Sequence, residues 1–517
     1  MFANGRIWPA HLIVFVASAC ALVIELIAGR ILAPYVGVSL YTWTSIIGIV
    51  LAGMSLGNYL GGLLADRRAS RHTLGLIFLA GSVSSLGILV VTQLVTVADL
   101  RVSLLPRIIL YTTAIFLLPS VVLGMVSPVV VKLALADLRR TGSTVGAIYA
   151  FSTAGSICGT FLTGFWLISW LGTRTIVWLI AAILLLLGLA VGELSRGAKA
   201  AVGIVAVTAA GALIVLLAFG LVSLGWSAGQ YRGPCQVESN YYCIQIREMG
   251  ADGHPARALM LDRLIHSFVV LDDPTILGYA YEKAYAVLTA VHAANRPQLD
   301  ALFLGGGGYT FPRYLEAVYP SASVDVIEID PAVTRASYEH LGLSPSTRIR
   351  SFNGDARMFL KDWTDPKQYD LVYGDAFNDL SIPYHLTTVE FARMLYGRLK
   401  PDGIYLANVI DKLEGGEFLR AYANSLRQVF PHVYVFARGE ALLPFDRNTY
   451  VIMASRQPLD QKRLEAANAA EEAFSRTTPL PDARLDAYLR SGRALILTDD
   501  FAPVDQLLAN LFVERGS

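Results

Sequence analysis

The chain has 517 residues, a net charge of +1 and 54% hydrophobic residues, with a mean hydropathy of +0.50. So apolar a composition argues against an ordinary soluble protein. The near-zero charge argues against a polyanionic partner, so no nucleic acid is expected.

The apolar excess lies in residues 1–225, which are predicted to form a multi-span α-helical membrane bundle. A bilayer span needs about 20 apolar residues. Seven stretches qualify: roughly 10–33, 40–64, 73–97, 104–136, 145–169, 174–194 and 200–224. The fourth contains Pro119 and Pro128, so it reads as a kinked helix or a helix plus a re-entrant piece. Glycine-dense runs in the second and fifth, GMSLGNYLGG and STAGSICGTFLTG, suit close helix packing. Glu25 and Arg30 lie in or at the end of the first span, where ionisable groups need a partner or a cavity. No cleavable signal peptide is evident, because the first apolar run is long and no A-x-A site follows it.

Loop charge sets orientation. Arg67, Arg68 and Arg71, then Lys132, Arg139 and Arg140, then Arg196 and Lys199 fall on one side, and Arg101, Arg107 and Arg174 on the other. With seven spans of an integral cell or inner membrane protein, the remainder of the chain leans to the extracytoplasmic side. Cys20 and Cys158 lie in apolar segments as small buried residues. Cys235 and Cys243 either form a disulfide in an oxidising compartment or stay unpaired. No His/Cys cluster has zinc spacing, so no metal is expected.

Residues 226–275 read as a small β module: ESNYYCIQIREM and RALMLDRLIHSFVVL are strand-like, with MGADGHP as the turn. Residues 276–517 read as an α/β domain. A helix over 276–294 precedes strands at Ala301–Leu304, Val324–Ile329, Arg348–Phe352, Tyr369–Tyr373, Gly403–Val409, His432–Ala437 and Thr449–Ala454. Helical patterns separate the first five, which predicts a parallel, doubly wound sheet; the last two form a hairpin.

The first strand ends in Gly305, Gly306, Gly307 and Gly308, and the helical stretch Phe311–Val318 follows. The second strand carries Glu328, twenty residues after Gly308, with Asp330 beyond it. Strand, glycine turn, helix, strand and acid is the pattern of nucleoside binding: glycine admits close backbone approach, and the acid can accept from ribose hydroxyls. The third strand ends in Asn353-Gly354-Asp355-Ala356, and the fourth in Gly374-Asp375-Ala376-Phe377-Asn378-Asp379. One such acid could be a helix cap. Acids at three strand ends converge on one crevice, where ligands of such sheets bind.

These residues resemble the polyamine aminopropyltransferases, the spermidine synthase family, and most of all its membrane-fused members. The likeness runs from about Glu238 to Val409 and again over Thr498–Leu508. The family's LDG-x-x-Q is similar to Leu261-Asp262-Arg263-Leu264-Ile265-His266, its Y-H-E to Tyr281-Glu282-Lys283, and its GGGDGG turn to Gly305–Thr310. The resemblance implies a class I methyltransferase-like (Rossmann-like) fold. It implies that Gly305–Gly308, Glu328, Asp330, Asp355 and Ala356 bind an adenosyl donor, with Asp375 the proton acceptor. His266, Tyr281, Asn378, Asp379, Pro383 and Tyr384 would shape the acceptor side, and His385 is a further candidate. Decarboxylated S-adenosylmethionine or S-adenosylmethionine would be a co-substrate, with no tightly bound cofactor. The partners implied are a small amine and the lipid bilayer, with a homodimer as one option.

Three positions depart from the family pattern. Gly308 stands for the aspartate of GGGDGG, Asn378 for the second aspartate of D-x-x-D, and His266 for the glutamine. The nucleoside half is kept and the amine half altered. Three readings follow: a membrane-tethered aminopropyltransferase of polyamine biosynthesis, an S-adenosylmethionine-dependent methyltransferase, or a non-catalytic transporter or sensor with a nucleoside-binding regulatory domain.

Overall fold

The structure is a computed structural model. It describes residues 8–97, 102–135, 141–192, 235–251, 253–294, 296, 298–362, 364–376, 382–438, 447–469, 475–509 and 511. The chain divides into two compact units, Met1–Cys243 and Ile244–Ser517.

Among the described residues, the first unit contains six helical stretches long and apolar enough to cross a membrane. Its helices are α1 (Trp8–Val36), α2 (Leu40–Arg68), α3 (Arg71–Val97), α4 (Leu104–Gly124), α5 (Val126–Ala134), α6 (Thr141–Leu162) and α7 (Ile168–Val191). The predicted seventh span, 200–224, lies outside the described residues, as do Arg101, Arg139, Arg140, Arg196 and Lys199. The fourth predicted span is indeed two helices, broken at Met125 between its two prolines. The glycine-dense runs are packing surfaces. A Cβ on Gly57 of α2 would lie 2.1 Å from the Val121 carbonyl oxygen, and one on Gly155 of α6 would lie 2.0 Å from that of Phe15. Cys158 is exposed, not buried. The buried face of α6 runs through Gly155 and Gly159, and the position before Gly159 is turned about 100° away from it.

Arg30 has a partner: its Nη1 donates to the Ser239 carbonyl at 2.6 Å. Ser239 follows a two-residue strand, β1 (Val237–Glu238). Cys235 and Cys243 are disulfide-bonded.

The second unit opens on an antiparallel meander of β2 (Cys243–Ala251), β3 (His254–Leu261) and β4 (Leu264–Val270). The apolar stretch read as one strand is thus a hairpin. The reversal falls at Asp262, whose φ of +56° is one that aspartate tolerates better than most side chains. Helix α8 (Ala280–Ala293) leads to β5 (Asp300–Leu304). The sheet continues through β6 (Ser323–Glu328), β7 (Arg350–Asn353), β8 (Tyr369–Gly374), β9 (Leu399–Asp411), β10 (His432–Ala437), β11 (Asn448–Ser455) and β12 (Thr478–Pro479). Helices α9 (Thr310–Val318), α10 (Pro331–His340), α11 (Ala356–Asp362) and α12 (Val389–Arg398) alternate with β5–β9.

The strand order is β12-β10-β11-β9-β8-β5-β6-β7. Strands β5–β9 are mutually parallel, whereas β11 runs antiparallel between β9 and β10. The predicted hairpin is present, and the two-residue β12 adds an edge that no sequence pattern announced. Beneath the crevice, Phe303 stacks on Tyr373 at 4.4 Å, and Tyr285 of α8 and Phe311 of α9 close the cluster. This aromatic layer is buried and fixes the strand ends that carry the polar groups.

Candidate active site

The glycine turn is built around two constraints. Gly305 has φ +102°, and a Cβ there would lie 2.4 Å from the Asp375 carbonyl oxygen. Glycine therefore lets the β8 exit pass directly against the β5 exit, and Asp375 N donates to Leu304 O at 2.9 Å. At the second constraint, Gly308 N donates to Ser267 Oγ of β4 at 2.8 Å, and a Cβ on Gly308 would lie 2.7 Å from Ser267 Cβ. Ser267 thus occupies the space an acid at position 308 would need.

Glu328, at the end of β6, faces this turn and is 6% exposed. Its Oε2 accepts from Gly306 N at 2.8 Å and Gly307 N at 3.1 Å, and its Oε1 accepts from Asp330 N at 3.0 Å. Burial raises its pKa, while the three amides oppose the rise. Asp330 is also buried, and its carboxylate accepts from Ala332 N at 2.9 Å as the N-cap of α10. At the end of β7, Asp355 Oδ1 accepts from Met358 N at 2.9 Å, and Oδ2 lies 2.8 Å from His385 Nε2. Ala356 is buried at the start of α11.

Asp375 follows β8. Its Oδ2 accepts from Tyr281 Oη at 2.9 Å and its Oδ1 from Asn408 Nδ2 at 2.9 Å. Burial raises the carboxyl pKa, and the two donors pull it back. Tyr281 is held well above the ordinary phenol value, first by burial and then by the Asp375 charge, so it stays a donor. Its ring stacks on Tyr279 at 5.8 Å and meets Tyr285 edge-on at 5.5 Å. Next to it, Glu282 is buried and closes a capping box with Tyr279; burial lifts its pKa to about 8.

On the acceptor side, burial lowers the His266 pKa to about 4, so its imidazole is neutral near pH 7. Pro383 begins the turn that carries Tyr384, 55% exposed, and His385. Asn378 and Asp379 lie outside the described residues.

Two buried polar atoms here have no partner among the described residues: His266 Nε2 and Asn408 Oδ1. Such atoms ordinarily find one, and a ligand carrying N–H or O–H groups would supply it. Asn408 was missed by sequence reasoning. Its signal is a lone amide inside the apolar run Gly403–Ile410, where a buried polar group needs a reason. Ser267 was missed too, and no local pattern distinguishes it. Among the described residues, no group of three or more His, Cys, Asp or Glu could hold a metal.

A doubly wound sheet with a reversed strand inserted between β9 and β10, a glycine turn and an acid on the next strand defines the class I methyltransferase-like architecture. Within that class, residues 287–455 match the spermine/spermidine synthase domain, and the C-terminal half of the chain is spermidine synthase-like. A polyamine aminopropyltransferase of Vibrio vulnificus is 29% identical over 215 residues, covering 40% of this chain and 69% of the relative. A probable polyamine aminopropyl transferase of Bifidobacterium longum is 26% identical over 293 residues, covering 52% and 61%. An N-terminal histidine N-methyltransferase of Emericella nidulans is 28% identical over 177 residues, covering 33% and 30%. These matches support a transferase.

Proposed function

We propose that the second unit transfers an aminopropyl group from a decarboxylated S-adenosylmethionine-type sulfonium to an amine. The observation that carries this reading is Asp375, a half-buried carboxylate at a strand end beside the glycine turn, oriented by Tyr281 and Asn408.

An amine is cationic in water, with a pKa near 10.4, and must lose a proton before it can attack. Asp375 accepts that proton. The freed lone pair attacks the propyl carbon bound to sulfur, and the carbon–sulfur bond breaks. The bonding pair stays on sulfur, leaving neutral methylthioadenosine. The sulfonium is already a good leaving group, so positioning carries much of the rate. Because burial raises the Asp375 pKa, the carboxylate is a better proton acceptor than an exposed aspartate. Glu328 and the turn Gly305–Gly308 hold the nucleoside, with Asp330, Asp355 and Ala356 beside them. His266, Tyr281, Pro383 and Tyr384, together with Asn378 and Asp379, flank the acceptor.

A second reading is methyl transfer from S-adenosylmethionine. It is favoured by Ser267 and Gly308 standing where the aminopropyltransferases carry an acid, since a donor that keeps its carboxylate meets no repulsion there.

The apolar helices would tether this unit to a bilayer. Its side is proposed as extracytoplasmic from the loop charges, and the Cys235–Cys243 disulfide is compatible with an oxidising compartment. Full-length protein incubated with a diamine and either donor tests the chemistry. Methylthioadenosine release from the decarboxylated donor supports the first reading, S-adenosylhomocysteine release from S-adenosylmethionine supports the second, and neither product refutes both. An alkaline phosphatase fusion after Ser517 should be active; an inactive one overturns the side.

A further inference from the structure

The candidate site groups lie no later in the chain than Asn408, yet a much later segment reaches back to them. Thr498 and Phe501 exchange backbone hydrogen bonds at 3.1 and 3.0 Å, which closes a four-residue turn with Asp499 at its second position. The turn is anchored by its neighbour Leu497, which is buried and whose N donates to Ser425 Oγ at 2.7 Å.

Asp499 joins three places in the second unit. Its carboxylate receives both Nη atoms of Arg357, 142 residues earlier, with Oδ1 2.7 Å from Nη1. The same Oδ1 accepts from Thr388 Oγ1 at 2.8 Å. Thr388 is the N-cap of α12 and accepts from Phe391 N at 3.3 Å. Asp499 N donates to Glu390 Oε2 at 3.0 Å, in the first turn of that helix. The Arg357 guanidinium holds the Asp499 carboxyl below the ordinary carboxylate range, so the pair is ionised near pH 7.

Arg357 carries this hold to the site. Its Nη1 also donates to the His385 carbonyl at 2.9 Å, and His385 Nε2 stands 2.8 Å from Asp355 Oδ2. The other oxygen, Asp355 Oδ1, accepts from Met358 N in the first turn of α11, the turn that bears Arg357. Both oxygens of Asp355 are therefore set by elements that Arg357 touches. A cation in the first turn of a helix opposes the helix dipole, and Asp499 offsets that charge. The planar guanidinium serves two acceptors at once, as a lysine ammonium would not.

We propose that Asp499 and Arg357 are positioning residues for the adenosyl ligand: their ion pair holds His385 against Asp355 and so orients the Asp355 carboxylate toward the nucleoside. The inference rests on the reading of Asp355 as part of the nucleoside site.

The test is calorimetric binding of methylthioadenosine to full-length protein, with thermal unfolding measured alongside. Asp499→Asn keeps the shape and removes the charge. It should weaken binding about threefold to fivefold, the most that a partly exposed ion pair can pass on. His385→Ala should weaken binding too, and adding Asp499→Asn to it should bring no further loss, because the two act in series. A merely structural role would lower the melting temperature in both backgrounds alike and would not give this non-additivity. Because Asp499→Asn could fail to fold, Arg357→Lys is measured beside it; it keeps a charge for Asp499 but loses the fork, and should weaken binding by a similar factor. Wild-type affinity in the folded variants, or additive losses in the double variant, overturns the proposal. Wild-type protein that binds no methylthioadenosine overturns instead the nucleoside-site reading beneath it.

Discussion

Replacing Asp375 with asparagine tests the proposed chemistry with little structural disturbance. Asparagine has the same shape, and its carbonyl can still accept from Tyr281 Oη. Its amide then faces Asn408, which donates to Asp375 at 2.9 Å. Asn408 Oδ1 has no partner among the described residues, so rotating that amide by half a turn presents an acceptor where a donor stood. Both hydrogen bonds re-form as neutral ones. Exchanging two charge-assisted bonds for neutral ones costs about 2–3 kcal/mol, offset by no longer burying a carboxylate. Stability should therefore change little, and adenosyl binding should persist. Turnover should fall by about 10²–10⁴, the usual worth of a general base, or about 2.7–5.4 kcal/mol of barrier. The assay is methylthioadenosine release alongside thermal unfolding and calorimetric binding of methylthioadenosine. A mutant with near wild-type turnover would place the base elsewhere or refute the reaction. A mutant that unfolds would refute the amide-rotation argument.

Glu282 gives a pH signature. Its folded pKa of about 8 exceeds the ordinary 4.5, so between these values the folded state holds a proton the unfolded state has lost. Stability contributed by this group is therefore fully present below about 4.5 and is lost as pH rises through 8. Urea unfolding of wild type should weaken over that range, and Glu282→Gln should flatten the slope; parallel slopes would refute the assignment. Gly308→Asp, which restores the family's acid, should destabilise by about 1–3 kcal/mol through overpacking against Ser267. Pairing it with Ser267→Gly should recover most of that loss in the same melts, and no recovery would show that Ser267 is not the obstacle. Glu328→Gln keeps only one oxygen for three backbone donors. It should lower the melting temperature and weaken adenosyl-ligand binding by about 1.5–3 kcal/mol; unchanged affinity would remove Glu328 from the site.

Much of the architecture was legible because the signals were local. The run Ala301–Leu304, its four glycines and the next apolar run specify a βαβ unit without tertiary information. The prolines at 119 and 128 likewise announced a broken helix. What escaped depends on contacts between distant segments. Gly308 reads as a lost acid until Ser267, 41 residues earlier, is seen hydrogen-bonded to it. Asp330 reads as one of three converging acids, yet its carboxylate caps its own helix. The stretch through Asp262 reads as one strand because a single left-handed residue leaves the hydrophobic pattern almost intact.

The placement of β11 has a consequence for biosynthesis. The chain emerges in the order β9, β10, β11, yet β11 is the strand that joins the other two. Until residues 448–455 have left the ribosome, β9 has no neighbour on its outer side, and β10 has nothing that links it to the rest of the sheet. An open apolar edge of this length invites pairing with other nascent chains. A polypeptide ending anywhere between Ala437 and Asn448 would keep every candidate site residue and still be prone to aggregate. The region shared with the spermine/spermidine synthase domain ends at Ser455, the last residue of the strand that closes that edge.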